Sequence, residues 1–282
     1  MRWLKDINVL IFDMDGTLYQ DYSFMGRYIS KMMEGTYTDS EIKETTALAY
    51  DILEGRNAVK LGFLYHPADL SFFSHQNLKP LASYDWNGME LEMKEKEESV
   101  LAYLGDPWGI AQLMAVKKEI PAELLEKAFI DVRAEMLTEA YSIIKRTDLF
   151  EEIEKLQNKR TILMTNSPLP TGQEFVDFLE IGDVFDEFYF DGKKPHGIEE
   201  LLSKLLSEGH QPHEILSIGD HPWNDLHPVH EAGGHTCLIS EYKHQDETPW
   251  SVSVKSIDEL VEVIRNLNKE AITANGKEES YG

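Results

Sequence analysis

Residues 9–19 read VLIFDMDGTLY: four apolar residues ending in Phe12, then Asp13 and Asp15 on either side of Met14, then Gly16, Thr17, Leu18 and Tyr19. The apolar run is too short for most helices and is stopped by an Asp-Gly turn, so it reads as a buried strand. That strand carries both carboxylates to its carboxyl end, where open parallel α/β sheets bind ligands. Neighbouring carboxylates repel unless a cation or a shared proton lies between them. Phosphoryl chemistry with Mg²⁺ gives a reason to build such a pair, and a structural protein has little. Taken alone, the segment also reads as an ordinary turn at a strand end.

Working outward, further strand patterns lie at residues 161–165, 187–190, 215–218 and 235–239, with helical stretches between them, the alternation of a parallel sheet. Residues 197–208 place Ile198, Leu201, Leu202, Leu205 and Leu206 on one apolar face. Residues 256–267 open with Ser256 and Glu259 as a capping box and run Ile257, Leu260, Val261, Ile264 and Leu267 along one side, which predicts the closing helix. The polar stretch beyond it, 269–282, reads as a flexible tail.

The gap between the first two strands, residues 20–146, is far longer than one crossover needs. It is helix-rich by pattern. In 121–137, Leu124, Leu125, Ala128, Phe129, Val132 and Met136 recur at helical spacing behind Pro121, which suits a helix start. The charged run 89–99 reads as a solvated helix face. An inserted, mainly helical second domain is the simplest organisation, with 1–19 and 147–268 forming the core domain. Most of the insertion's aromatics are expected in its own core, because aromatics bury well. Tyr22 and Phe24, directly after the turn that follows the first strand, are the candidates for contacting a substrate.

At 282 residues, with 42% hydrophobic and 28% charged residues, the chain has the composition of an ordinary soluble protein with a sizeable core. No run approaches a membrane span, and the N-terminus lacks a signal peptide's apolar stretch. Cys237 is the sole cysteine, which excludes an internal disulfide and points to a reducing cytoplasm. The formal charge of −24 disfavours nucleic-acid polymers and anionic membranes as partners. It also repels anionic substrates, so a phosphate site here has to be made locally positive by a metal, a lysine or helix N-termini.

Three more strand ends carry matching chemistry. Thr165-Asn166-Ser167 offers a hydroxyl and backbone N–H groups that can cradle an oxyanion, although by itself it is also an ordinary loop. Lys193 and Lys194, ahead of Pro195, can neutralise a phosphate, although a lysine pair is also a common solvated feature. Asp220 and Asp225, in the stretch GDHPWND, supply hard oxygen ligands that suit Mg²⁺.

These four segments, in this order and each at a strand end, resemble the four motifs of the haloacid dehalogenase (HAD) superfamily of aspartate-nucleophile phosphotransferases. DxDGT together with GDxxxxD is a specific combination, and the resemblance covers the core, about residues 5–19 and 147–267. It implies an α/β fold with a Rossmann-like parallel sheet, Mg²⁺ as cofactor and a phospho-aspartyl intermediate. An insertion between the first and second motifs implies a mainly helical C1 cap. With about 25 residues between Ser167 and Lys193, the other common cap does not fit. The resemblance further implies Asp13 as nucleophile and Asp15 as acid and then base, a carboxylate that favours phosphate chemistry over C–Cl cleavage. The Asp13 side chain, the Asp15 carbonyl and Asp220 would hold Mg²⁺, and Asp225 would orient water or lysine. Thr165, the Asn166 backbone and Lys194 would bind the phosphate, with Lys193 as the alternative lysine.

The histidines near the last motif do not form a zinc signature: His230 and His235 are five apart rather than four, and Gly233-Gly234 ends the helix between them. His221 and Trp223 lie in the Asp220–Asp225 loop, where packing accounts for Trp223 and a place at the site's mouth is open to His221. The expected function is therefore a Mg²⁺-dependent phosphatase acting on a small phosphorylated metabolite, in a cytoplasmic monomer or homodimer. The alternatives are a phosphomutase of the same fold and a non-catalytic regulatory protein on it; intact motifs argue against the latter.

Overall fold

In the computed structural model, which describes residues 2–93, 100–139, 141, 143–156 and 158–278, the opening apolar run forms strand β1 (Val9–Phe12), buried along its whole length. It belongs to the first of two units, made of Met1–Gln20, Ile143–Glu241 and Trp250–Gly282; the second is made of Asp21–Ser142 and Tyr242–Pro249.

The first unit is built on a six-stranded sheet among the described residues. Beside β1 it contains β7 (Arg160–Met164), β8 (Glu187–Tyr189), β9 (Ile215–Gly219), β10 (His235–Ile239) and β11 (Val252–Val254), in the order β11-β10-β9-β1-β7-β8. All pairs are parallel. The chain leaves β1 for one neighbour and returns for the other, which makes the end of β1 a topological switch point. Register aligns Phe12 with Leu163 on one side and Ile218 on the other. Asp13, Thr165 and Asp220 therefore all emerge just past the ends of three adjacent strands.

Strand periodicity divides the core. Val9 and Ile11 pack with Ile162, Met164 and Ile215 under Ile198, Leu201, Leu202 and Leu205 of helix α7 (His196–Ser207). Leu206, expected on that stripe, is 41% exposed, because it lies one residue past the buried row. Phe12 meets the ring of Phe185 edge-on at 5.4 Å. Helix α5 (Thr147–Glu154) packs against the closing helix (Ile257–Glu278), and α6 (Thr171–Leu179) lies between β7 and β8 in sequence. The expected capping residue is in place, with the Glu259 N–H donating to Ser256 Oγ at 3.4 Å. The helix then continues through residue 278, over most of the stretch read from sequence as a tail; 279–282 lie outside the described residues. Strand β11, three residues long, pairs with β10.

The second unit carries four helices among its described residues: α1 (Phe24–Met33), α2 (Asp39–Leu53), α3 (Pro107–Lys117) and α4 (Ala122–Met136). Thr38 and Glu41 form a capping box on α2, and Asp106 caps α3, which has Pro107 in its first turn. The sequence predicts a mainly helical insertion, but the unit also contains a five-stranded antiparallel sheet. Its strands are β2 (Leu64–His66), β3 (Ser71–Gln76), β4 (Lys79–Tyr84), β5 (Glu90–Leu91) and β6 (Ala102–Tyr103), ordered β5-β4-β3-β2-β6. Local signals for it are weak. Residues 71–73 are buried in succession rather than alternating, and β4 contains Pro80, which ordinarily demotes a strand. The two-residue β3–β4 turn puts Asn77 and Leu78 at φ of 48° and 63°, where glycine is the usual marker. The charged run expected as a helix face instead contributes β5 at residues 90–91, and 94–99 lie outside the described residues.

Residues 242–249 also join this unit. The Gln245 N–H donates to the Leu61 carbonyl at 2.7 Å, and Tyr103 donates its hydroxyl to Asp246 at 3.0 Å. Gly62 (φ +87°) permits the approach, since a Cβ there would lie 2.6 Å from Gln245 N.

Candidate active site

Asp13 follows β1 directly, its own N–H donating to the Ile218 carbonyl at 2.9 Å, so sheet register fixes where its side chain begins. Lys194 Nζ donates to Asp13 Oδ1 and Asp225 Oδ1, each at 2.6 Å, and all three side chains are buried. The Thr17 hydroxyl donates to Asp13 Oδ2 at 3.2 Å. Lys193, the sequence alternative, is exposed with φ of 50°, and this turn is what sends the next residue inward. The same turn is tied to the Thr-Asn-Ser loop, where Asn166 Oδ1 accepts from the Lys194 N–H at 2.8 Å.

Asp220 and Asp225 arrive from the end of β9. After His221 the chain makes one wide helical turn, Pro222–Leu226, of a kind that recurs at functional sites. It brings Asp225 back so that its Oδ2 accepts the His221 N–H at 3.0 Å, while its Oδ1 receives Lys194. His221 caps this turn, its Nδ1 accepting from the Asn224 N–H at 3.2 Å, and is 9% exposed. One carboxylate oxygen each from Asp13, Asp220 and Asp225 lies within 4.8 Å of the others. Gly16 (φ +79°) makes room for this, since a Cβ there would sit 2.1 Å from Asp220 Oδ2.

The electrostatics favour an added cation. Burial, reinforced by Asp225 and Asp15 and only partly offset by Lys194, pushes the Asp13 carboxyl from 3.8 up to about 7. Lys194 is itself buried, yet the two carboxylates in contact with it raise its pKa and keep it charged. One ammonium does not balance this many carboxylates, and three hard oxygens this close are the donor chemistry that Mg²⁺ takes. The residues present fit a divalent cation.

Asp15 stands apart from the cluster. Its Oδ1 accepts from the Tyr19 hydroxyl, and its Oδ2 from Ser167 Oγ at 3.1 Å and, more weakly, Thr165 Oγ1 at 3.5 Å. Thr165 Oγ1 in turn accepts the Ser167 N–H at 3.0 Å. Sequence reasoning did not single out Tyr19 or Ser167 as functional; the available signal was their position, in or beside two motif turns. Of the aromatic candidates, Phe24 is 3% exposed and stacked on Trp108 at 3.9 Å inside the second unit, and Tyr22 is half-buried, edge-on to Tyr242 at 5.4 Å. The remaining histidines do not converge. His227 and His230 meet the Trp250 ring edge-on, whereas His235 stacks on Trp3. Burial pushes the Cys237 thiol up to about 12, so it is inert.

A family model for haloacid dehalogenase-like hydrolases matches residues 7–233. The chain belongs to this family. Among curated proteins, none matches it. Among solved structures it is similar to a predicted phosphoglycolate phosphatase from Haemophilus somnus 129pt, at 14% identity and a TM-score of 0.54, over 92% of this chain and 98% of that one. A HAD family hydrolase from Deinococcus radiodurans R1, solved with bound phosphate and sodium, has 13% identity and a TM-score of 0.51 over 93% and 97% of the two chains. The protein YfnB from Bacillus subtilis, solved bound to magnesium, has 14% identity and a TM-score of 0.51 over 92% and 99%. At these identities the likeness establishes the HAD fold, and hydrolase membership rests on the family match. No helix among the described residues is long and apolar enough to cross a membrane.

Proposed function

We propose that this HAD-like hydrolase is a Mg²⁺-dependent phosphatase of small phosphomonoesters, working through a phospho-aspartyl intermediate on Asp13. The observation that carries the reading is Asp13 itself: a buried carboxylate at the end of the central strand, held by Lys194 and Thr17 beside Asp220 and Asp225. Asp13 attacks phosphorus, and Asp15 gives its proton to the leaving oxygen. Asp15 then takes a proton from the water that cleaves the acyl phosphate, which restores both carboxyl groups. Lys194 neutralises phosphoryl charge, with Thr165 and the Asn166 backbone as further phosphate contacts. Asp13, Asp220 and the Asp15 carbonyl would hold Mg²⁺, and Asp225 orients Lys194. The bound cation supplies the Lewis-acid charge neutralisation that lets an anionic nucleophile approach an anionic ester.

The inserted unit serves as the cap in this reading and carries substrate choice, with Tyr22 the stronger of the two aromatic candidates because Phe24 is committed to packing. A net charge of −24 supports a small metabolite over a nucleic-acid polymer, and a lone buried cysteine suits the cytoplasm. The test is free-phosphate release from a panel of nucleoside monophosphates, sugar phosphates and phosphoglycolate, with and without Mg²⁺. Turnover that EDTA abolishes and Mg²⁺ restores is expected; inactivity throughout the panel would overturn the reading.

A further inference from the structure

Asp15 is gripped from two directions by side chains that no motif role accounts for. Tyr19, four residues downstream, is 2% exposed, and its ring lies against Phe175 of α6 at 5.5 Å. A short bridge between residues 15 and 19 holds the two backbones together, and the phenol hydroxyl meets Asp15 Oδ1. From the opposite side Ser167 Oγ donates to Oδ2 at 3.1 Å. A carboxyl group engaged at both oxygens cannot rotate about its terminal bond without breaking a hydrogen bond. Aspartate otherwise turns readily there, since a terminal sp³–sp² torsion is broad.

We infer that Tyr19 is a positioning residue that, with Ser167, sets the direction in which Asp15 presents its proton to the leaving oxygen. The inference rests on the phosphatase reading above. In the step concerned, an Asp13 oxygen bonds to phosphorus as the P–O bond to the leaving group breaks. The Asp15 proton passes to that oxygen, giving a neutral alcohol and an Asp15 carboxylate. Phe175 contributes by holding the Tyr19 ring, so the clasp is anchored in the core rather than in a mobile loop. A proton donor misaligned by a fraction of an ångström loses much of its catalytic effect. The consequence depends on the leaving group: an alkoxide needs the proton, and a dinitrophenolate hardly does.

The test compares kcat/KM, which reports the steps up to cleavage of the ester, for the intact protein, Tyr19→Phe and Asp15→Asn. The substrates are 2,4-dinitrophenyl, 4-nitrophenyl, phenyl and simple alkyl phosphates. Tyr19→Phe removes only the hydroxyl and keeps the ring against Phe175. It is expected to lose about tenfold or more on phenyl and alkyl phosphates but no more than about threefold on the dinitrophenyl ester, a slope in the direction of the steeper one for Asp15→Asn. If Tyr19→Phe melts at a much lower temperature than the intact protein, Ser167→Ala decides, since it loosens the same carboxyl from the other side and should show the same slope. An equal loss on every ester, or no loss on any, overturns the assignment while leaving the phosphatase reading intact. An intact protein inactive on the whole series, or an Asp15→Asn variant without slope, overturns the reading and the role of Tyr19 with it.

Discussion

In the first unit, β1 lies between β7 and β9 and delivers Asp13 to Lys194, 181 residues away in sequence, while Lys194 also reaches Asp225. In the second unit the described interior is apolar instead: Phe24 stacks on Trp108 at 3.9 Å, Tyr28 and Phe129 close around the same indole, and aliphatic side chains such as Ile29, Ile52, Leu104 and Leu113 are buried as well. Its buried cation among the described residues, Arg133, lies 5.7 Å from the Trp108 ring. The first unit thus concentrates like charges that depend on distant strands being in register. The second gains its stability from apolar area, which is non-directional and more forgiving of how it is assembled. A site of converging carboxylates needs the first kind of scaffold, because small displacements change charge–charge energies steeply in a buried setting.

The sharpest way to break this comparison is Asp13→Asn. It keeps the shape of the side chain and removes the nucleophilic charge, so turnover should fall by at least about 10³-fold with no loss of thermal stability. Retention of more than about a tenth of the activity would remove the nucleophile from Asp13. Next in size, Lys194→Ala leaves Asp13 and Asp225 facing each other without their shared cation. Activity should drop about a hundredfold on all phosphomonoesters alike, and unfolding in denaturant should show a cost of about 3–5 kcal/mol. A substrate-dependent loss would instead place the lysine in leaving-group recognition.

The matching perturbation in the second unit is Phe24→Ala. It should cost about 3–5 kcal/mol of stability through the cavity it leaves. Tyr22→Ala, by contrast, should leave stability nearly unchanged but alter relative kcat/KM among substrates about tenfold. If both variants lowered activity on all substrates equally, both residues would be structural and substrate choice would lie elsewhere in the inserted unit.

Protonation offers a subtler probe of the charged unit. Asp13 has a folded-state pKa of about 7 against 3.8 for its ordinary value. Well below pH 3.8 the group is neutral in both the folded and unfolded chains and costs nothing. As pH rises from 4 to 7 the unfolded chain ionises first, so this contribution to stability is progressively lost. Melting curves in EDTA should therefore show the metal-free protein falling behind Asp13→Asn between pH 4.5 and 8. A constant difference across that range would mean that Asp13 is already ionised when folded. The smallest expected effect belongs to Tyr103→Phe, which removes the bond to Asp246. It should cost about 1–2 kcal/mol and speed proteolytic cleavage within 242–249, the stretch that joins the second unit from far along the chain.

Much of the first unit was legible in advance because its signals are local. A buried parallel strand reads as a short apolar run, and the turn after it carries its polar residues within a few positions, so Asp13, Thr165, the Lys193–Lys194 pair and Asp220 could be placed one strand end at a time. The hydrolase family was legible for the same reason. The second unit resisted reading because its sheet uses a proline-containing strand and a hairpin turn without glycine, and its edge strand falls in a charged run.

By itself, then, the sequence determined which side chains stand at the ends of the core strands and what chemistry those residue types can perform, since both follow from spacing along the chain. Tertiary structure decided which of two adjacent lysines turns inward and that Asp225 is shared by Lys194 and the His221 N–H. It also decided that Tyr19 and Ser167 grip opposite oxygens of Asp15, and that residues 242–249 complete a unit begun more than two hundred positions earlier. The Lys194–Asp225 and Ser167–Asp15 contacts and the joining of residues 242–249 to the second unit are pairings between distant segments. Such a pairing leaves no periodicity in the chain, because its partners are chosen by strand register and close packing rather than by sequence neighbours.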